Sequence, residues 1–264
     1  MLSCKSYAKV NVFLKIIGKR GDYHEIKSRF LKIESLHDIF TFKLKSVKRE
    51  FELFGEFGCE LHNNTIYKAY KFLKEYKNDK KIDDFFEHYA LHVEKNIPKG
   101  SGLGGGSSNA ATLLLALNKI LKLNLSVKEL CHIGSKIGAD VNFFLYECEA
   151  ANVEGVGEIV TPIEEDTPKL KLVFTDEFCD TAKVYKTFRE NFWNRVDMDL
   201  ARKLANLNSK EILNSFTPIE LNDLLRSALV CYPNLKAFAR KGFFLSGSGS
   251  TFFEVLDERN NSKK

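Results

Sequence analysis

The chain has 264 residues, 44% hydrophobic and 28% charged, which suits one large domain or two small ones sharing a cleft and argues against a disordered protein. Its net charge of +5, from 40 Lys and Arg against 35 Asp and Glu, is too mild to mark a nucleic-acid surface; a solvated face or an anionic, phosphorylated substrate accounts for it equally. Six scattered cysteines (Cys4, Cys59, Cys131, Cys148, Cys179, Cys231) form no CxxC pair, so neither a disulfide framework nor a zinc site is expected, and reduced thiols in the cytoplasm are the natural reading.

Residues 7–16 alternate as a strand does. Ala8, Val10, Val12, Leu14 and Ile16 should share the core face, with Tyr7, Lys9, Asn11 and Phe13 on the other. Lys9 and Asn11 then stand roughly 7 Å apart on one surface. Asn11 and Lys15 interrupt the apolar run 10–17 and no cleavage site follows, so neither a signal peptide nor a membrane span is expected. A polar turn over 18–22 leads past Tyr23 and His24 into the apolar stretch 30–36, a hairpin with a long loop.

Further strands are predicted over 39–44 and 89–95. Helical spacing marks 65–76, the charged stretch 78–84 reads as a loop, and helices follow over 110–121 and 127–137. His88 and His92 have metal-ligand spacing, but no third ligand sits near them in sequence, so no metal is expected there. The polar stretch after Val153 places a domain boundary between 152 and 153, giving domains 1–152 and 153–264. Beyond it come a strand over 170–175, helices within 181–239, and a final strand pair over 243–246 and 251–256. No internal repeat is present.

The most informative stretch is Pro98-Lys99-Gly100-Ser101-Gly102-Leu103-Gly104-Gly105-Gly106-Ser107-Ser108. It follows a strand and opens onto an apolar helix. Glycines let backbone N–H groups turn inward around an anion, and a helix N-terminus adds a favourable dipole. Ser107 and Ser108 can cap that helix or reach a phosphate or a magnesium ion. A mere flexible turn is the alternative, which five glycines between a strand and a buried helix make less natural. A Walker A loop would need Lys after Gly106, where Ser107 stands. Gly100, Gly102 and Gly105 satisfy GxGxxG, but Asn124-Leu125-Ser126 occupies the place of the acid that a dinucleotide fold requires.

This loop resembles the ATP loop of the galactokinase, homoserine kinase, mevalonate kinase and phosphomevalonate kinase (GHMP) superfamily. Ala8-Lys9-Val10-Asn11, Tyr23-His24-Glu25, Gly138-Ala139-Asp140-Val141, Gly155-Val156-Gly157-Glu158 and Ser246-Gly247-Ser248-Gly249-Ser250-Thr251 occur in matching order and spacing. Together they narrow the resemblance to the 4-diphosphocytidyl-2-C-methyl-D-erythritol kinase family of the non-mevalonate isoprenoid pathway, over about residues 6–256.

The resemblance implies an α/β (α+β), two-domain GHMP kinase fold, with a ribosomal-protein-S5-like N-terminal half and a ferredoxin-like C-terminal half. It also implies ATP and Mg2+ as cofactors and a small cytidyl diphosphate sugar alcohol, phosphorylated on its 2-hydroxyl, as substrate. No nucleic acid, membrane or obligate protein partner is expected. On its own Asp140 reads as a helix cap and Lys9 as a surface lysine; the resemblance makes Asp140 the base and Lys9 its catalytic partner. It assigns His24 to reading the cytosine, Tyr23 and Tyr185 to holding the ring, and Asn11 and Thr181 to the substrate near the transferred phosphate. Gly247, Ser248 and Gly249 would approach the diphosphate, and Asn64 and Lys95 would border the adenine.

Three departures from the family pattern stand out. Tyr7 replaces the usual Pro before Ala-Lys, the hairpin loop before Tyr23 lacks one Gly, and Tyr185 stands where Phe is usual. Rival readings are another GHMP kinase of the homoserine or mevalonate type, and a non-catalytic ligand-binding protein on the same fold.

Overall fold

Apolar alternation over the first forty-odd residues builds one long antiparallel hairpin, β1 (Leu2–Arg20) and β2 (Tyr23–Leu44), running from the Leu2–Phe42 pair to the Arg20–Tyr23 pair. The computed structural model describes residues 2–256. The hairpin loop is only Gly21-Asp22, not the long loop expected, and the two apolar stretches predicted after it are one continuous strand. β3 (Leu53–Phe54) lies parallel to β4 (Tyr89–Glu94), and β4 pairs with the 39–44 end of β2. β5 (Ala150–Gly155) pairs with residues 26–31 of β2, and β6 (Ile159–Ile163) borders β5. The order is β3-β4-β2-β5-β6, with β1 on β2.

The face alternation predicted for the first strand holds only up to Asn11. Asn11 pairs with Phe30 and Phe13 with Arg29, which leaves Val12 as a bulge. An extra residue reverses the parity of everything after it. Phe13 therefore joins Ala8 and Val10 in one core cluster, while Leu14 and Ile16 change to the face that carries Lys9 and Asn11. Both faces of this strand are covered, so Lys9 and Asn11 are 3% and 2% exposed rather than on a free surface.

Among the described residues the α-helices of this half are α1 (Thr65–Lys77), α2 (Lys80–His88), α3 (Gly105–Ile120), α4 (Val127–Gly134) and α5 (Val141–Leu145). Ile66, Leu73, Phe86, Leu114 and Leu117 meet Phe40, Phe42 and Leu91 of the sheet in one core. Each such side chain contributes about 1.5–3 kcal/mol by burial. The charged stretch expected as a loop is α2. Its Lys and Asp side chains hide a one-sided stripe of Ile82, Phe85 and Phe86, and Asp79 caps its start by accepting from Lys81 N.

The expected boundary at 152/153 falls inside β5, a strand of the first sheet; the change of sheet comes between Ile163 and Leu170. The second sheet has order β7-β9-β8, from β7 (Leu170–Val173), β8 (Phe244–Leu245) and β9 (Phe252–Val255), all antiparallel. Its helices are α6 (Thr181–Asn191), α7 (Met198–Asn206), α8 (Ser209–Ser215), α9 (Pro218–Leu221) and α10 (Leu224–Cys231). The two halves share a core through β1. Ala8, Val10 and Phe13 meet Leu204, Leu213 and Phe244, whereas Leu14 and Ile16 meet Val184, Phe188 and Leu225. Among the described residues no helix is long and apolar enough to cross a membrane.

Candidate active site

One cleft of about 1260 Å³ runs between the halves, with the glycine-rich loop along its floor. Gly102 and Gly104 have φ of +76° and +73°, a region that side chains avoid. A Cβ on Gly102 would overlap the Ser246 carbonyl oxygen, and one on Gly104 would press on the Lys9 side chain at 3.1 Å. Helix α3 begins at Gly105, five residues earlier than predicted, so the last two glycines are its first turn. The cap is Gly104; neither Ser107 nor Ser108 caps it. First-turn N–H groups have no partner within their own helix, and here they border the cleft, as an anion requires.

Lys9 and Asp140 meet beside that turn. Asp140 takes the cap position of α5 by backbone only: its carboxylate makes no capping bond and lies 3.3 Å from Lys9 Nζ. Lys9 Nζ also donates to Asn11 Oδ1 at 2.6 Å and to the Gly102 carbonyl at 3.0 Å, above the Phe30 ring. Asn11 is fixed in turn by donating to Ser28 Oγ at 3.0 Å. Lys9 is thus held on every side, while Asp140 keeps about a quarter of its side chain open to the cleft. The turn between β5 and β6 backs it: a Cβ on Gly157 would stand 3.0 Å from Ala139.

The other end of the cleft is aromatic. His24, 7% exposed, lies 5.1 Å from the Tyr185 ring and 5.9 Å from Trp193, centroid to centroid. Among the described residues its Nε2 has no hydrogen-bond partner. Burial, then the charges of Arg189 and Lys19, push the imidazole below its usual range, so the neutral ring is favoured. A buried ring nitrogen with no partner is unusual in a folded protein, and His24 is one of the residues that line the cleft. Burial and the Asp140 charge push the Tyr185 phenol well up. Tyr23, at the start of β2, is 69% exposed at the cleft mouth.

The 246–251 turn closes the cleft from the second half. Thr251 N donates to Ser101 O and Ser246 Oγ to Gly102 O, while Thr181 Oγ1 and Ser248 Oγ lie 2.8 Å apart. Asn222 steadies the turn by donating to the carbonyls of Leu245 and Gly247, both at 2.9 Å.

Residues 64–147 match the family model described as the GHMP kinases N terminal domain. The 4-diphosphocytidyl-2-C-methyl-D-erythritol kinase of Sulfurimonas denitrificans is 45% identical over 260 residues, covering 97% of this chain and 97% of its own. The chain belongs to the 4-diphosphocytidyl-2-C-methyl-D-erythritol kinase family. The kinase of the same name from Campylobacter jejuni is 41% identical, covering 95% of this chain and 99% of its own. A crystal structure of 4-(cytidine 5'-diphospho)-2C-methyl-D-erythritol kinase superposes with a TM-score of 0.75 at 29% identity, covering 97% of this chain and 90% of that one. The Methanococcus jannaschii mevalonate kinase shares the fold, with a TM-score of 0.63 at 13% identity over 99% of this chain and 92% of its own.

In this member of the 4-diphosphocytidyl-2-C-methyl-D-erythritol kinase family, nearly all the residues singled out in the sequence line one cleft. They include Lys9, Asn11, Tyr23, His24, Asn64, Lys95, the loop from Pro98 to Ser107, Asp140, Thr181, Tyr185, Gly247 and Ser248. Two do not. Ser108 is 1% exposed, turned behind the loop with its hydroxyl 2.8 Å from Ser6 Oγ, and Gly249 lies on the far side of its turn against Cys179. Asn64 caps α1 by accepting from Ile66 N at 2.8 Å, and Lys99 reaches the Gly58 carbonyl at 2.7 Å.

Sequence reasoning missed Arg189, Lys186 and Asn109, which also line the cleft, together with Trp193 and Ser28 behind it. Arg189 and Lys186 carry a readable signal. They stand four and one residues beyond Tyr185, on the same helix as Thr181. Ser28 had none, because only the pairing of β2 with β1 brings it to Asn11.

Proposed function

We propose that this cleft transfers the γ-phosphate of ATP to the 2-hydroxyl of 4-diphosphocytidyl-2-C-methyl-D-erythritol. The observation that carries the reading is the Lys9–Asp140 pair at the open turn of the glycine loop, with the unpartnered His24 nitrogen at the other end of the same cleft. Asp140 accepts the hydroxyl proton as the oxygen attacks the γ-phosphorus. The new O–P bond forms as the bond to the β-phosphate oxygen breaks, and ADP leaves. Lys9, fixed by Asn11 and the Gly102 carbonyl, spends no reorganisation when it offsets charge on the attacking oxygen and the phosphoryl group. First-turn N–H groups of α3 hold the triphosphate. His24 Nε2 bonds the cytosine edge, Tyr185 and Tyr23 flank the ring, and Arg189 and Lys186 face the substrate's diphosphate.

Among the described residues no three His, Cys, Asp or Glu side chains converge to hold a metal. Magnesium would therefore be carried mainly by nucleotide phosphate oxygens, as is usual for this ion. The Ser107 hydroxyl and the Asp140 carboxylate, both at the cleft, are hard oxygen donors that suit it. Bound there, magnesium supplies neutralisation of phosphate charge. Six cysteines, all free, fit a reaction carried out in the reducing cytoplasm.

The test is an ADP-release assay with purified protein and a panel of acceptors. Turnover with the cytidyl diphosphate compound and none with mevalonate or homoserine supports the reading. Turnover with mevalonate or homoserine instead, or with no acceptor at all, overturns it.

A further inference from the structure

Behind the glycine loop lies a buried polar network that the proposed chemistry does not use. Asp38 of β2 is 0% exposed, yet its two oxygens receive four donors. Oδ1 accepts from the backbone N–H groups of Asn96 and Ile97, at 2.7 and 2.8 Å. Oδ2 accepts from Lys95 Nζ and, at 2.7 Å, from Asn109 Nδ2. Four acceptor sites are all that a carboxylate has. Asn109 is equally committed: its second N–H goes to Ser6 Oγ at 2.9 Å, and its Oδ1 accepts from Lys95 at 2.8 Å.

Lys95 is the member that reaches the cleft. Its ammonium has three donors, of which Asp38 and Asn109 take two. The ammonium stands against the first turn of α3, 3.7 Å from where a Cβ on Gly105 would sit. A lysine on a flexible stem is a poor specificity element unless its direction is fixed. Here two side chains fix it from below, so the remaining N–H points at whatever lies on that turn. The same carboxylate pins Asn96 and Ile97, the backbone that leads into the loop.

We propose that Asp38 is a positioning residue for the nucleotide: it aims the third N–H of Lys95 at an acceptor atom of ATP and sets the entry of the glycine loop. The proposal rests on the kinase reading above. An amide cannot replace the carboxylate. With its oxygen on the two backbone N–H groups, its NH2 would face Lys95 and Asn109, donor against donor.

The experiment measures ATP affinity by calorimetry without acceptor, steady-state constants, and thermal stability for Asp38→Asn, Lys95→Met and the double variant. Asp38→Asn is expected to weaken ATP binding about tenfold or more, to raise the KM for ATP and to leave the KM for the acceptor at saturating ATP unchanged. On the Lys95→Met background it should weaken ATP binding no further, because it acts through that lysine. Additive losses, equal weakening of both substrates, or unchanged ATP affinity in either single variant overturn the proposal. Should Asp38→Asn fail to fold, Lys95→Met still decides: unchanged ATP affinity sinks it. Failure of the kinase reading looks different, since the wild-type protein would then bind no ATP at all, which overturns both.

Discussion

The Gly102 carbonyl is the point where the two halves and the buried Lys9 ammonium meet: it accepts from Lys9 Nζ and from Ser246 Oγ, both at 3.0 Å. A Cβ on Gly102 would overlap the Ser246 carbonyl oxygen, and the residue's φ of +76° adds backbone strain. Gly102→Ala should therefore push the 246–251 turn away from the loop. We expect a stability loss of about 1–3 kcal/mol from the backbone alone, or more with the overlap. ATP and acceptor affinity should fall together if, as proposed, the loop serves one and the turn the other. Differential scanning calorimetry and paired affinity measurements check this, and an unaltered melting temperature would contradict it.

Asp140→Asn keeps the shape and removes the proton acceptor. Turnover should fall by roughly 10²–10⁴. ATP affinity should hardly change, since the glycine loop and α3 are untouched. The carboxylate makes no capping bond, but its charge faces the buried Lys9 ammonium, so some loss of melting temperature is expected beside the loss of turnover. A variant with near-normal turnover would return Asp140 to a structural role.

Much of this arrangement was legible in the sequence, and the parts that were not share a physical cause. Local signals placed Lys9, Asn11 and the loop, because a strand alternation and a run of glycines are written in adjacent residues. The bulge at Val12 is invisible locally. It appears only as the Asn11–Phe30 and Phe13–Arg29 register, and it moves Leu14 and Ile16 to the site face. Helix α2 was hidden because charge outnumbers its three-residue stripe. Ser107 and Ser108 looked equivalent in sequence, but one helical step of about 100° sends one to the cleft and the other to Ser6. Asp38 gave no signal, since its four donors come from two segments, 95–97 and 109, both more than fifty residues away in sequence.

Tyr23 and Tyr185 should behave differently when each is changed to Ala. Tyr23 is largely exposed and in the proposed function serves only the cytosine ring, so its loss should weaken acceptor binding by roughly 1–3 kcal/mol, the magnitude of base stacking. Turnover at saturation and thermal stability should be nearly unchanged. Tyr185 packs against the Val184–Phe188–Leu225 core and feels the Asp140 charge. Its variant should raise KM, lower kcat and lower the melting temperature together. Identical profiles for the two variants would remove the distinction.

The acid limb of acceptor binding should belong to His24. Its imidazole is held below the ordinary 6.5, first by burial and then by Arg189 and Lys19. At neutral pH the ring is uncharged, and in the proposed function Nε2 accepts a hydrogen bond from the cytosine. As pH falls through the lowered folded-state value, protonation turns that acceptor into a donor, so acceptor KM should rise while ATP KM stays flat. The sign for stability is the same. A depressed folded-state value means that the unfolded chain binds the proton first, so this contribution is full above about 6.5 and declines as pH drops below it. Arg189→Ala removes one of the opposing charges. The acid limb of KM should then move to higher pH, toward 6.5, with little change at pH 8 beyond the loss of the proposed diphosphate contact. Steady-state profiles from pH 5 to 8 on both proteins decide it. A limb that stays in place in Arg189→Ala, or a wild-type profile in which both KM values rise together, would assign the titration to another group.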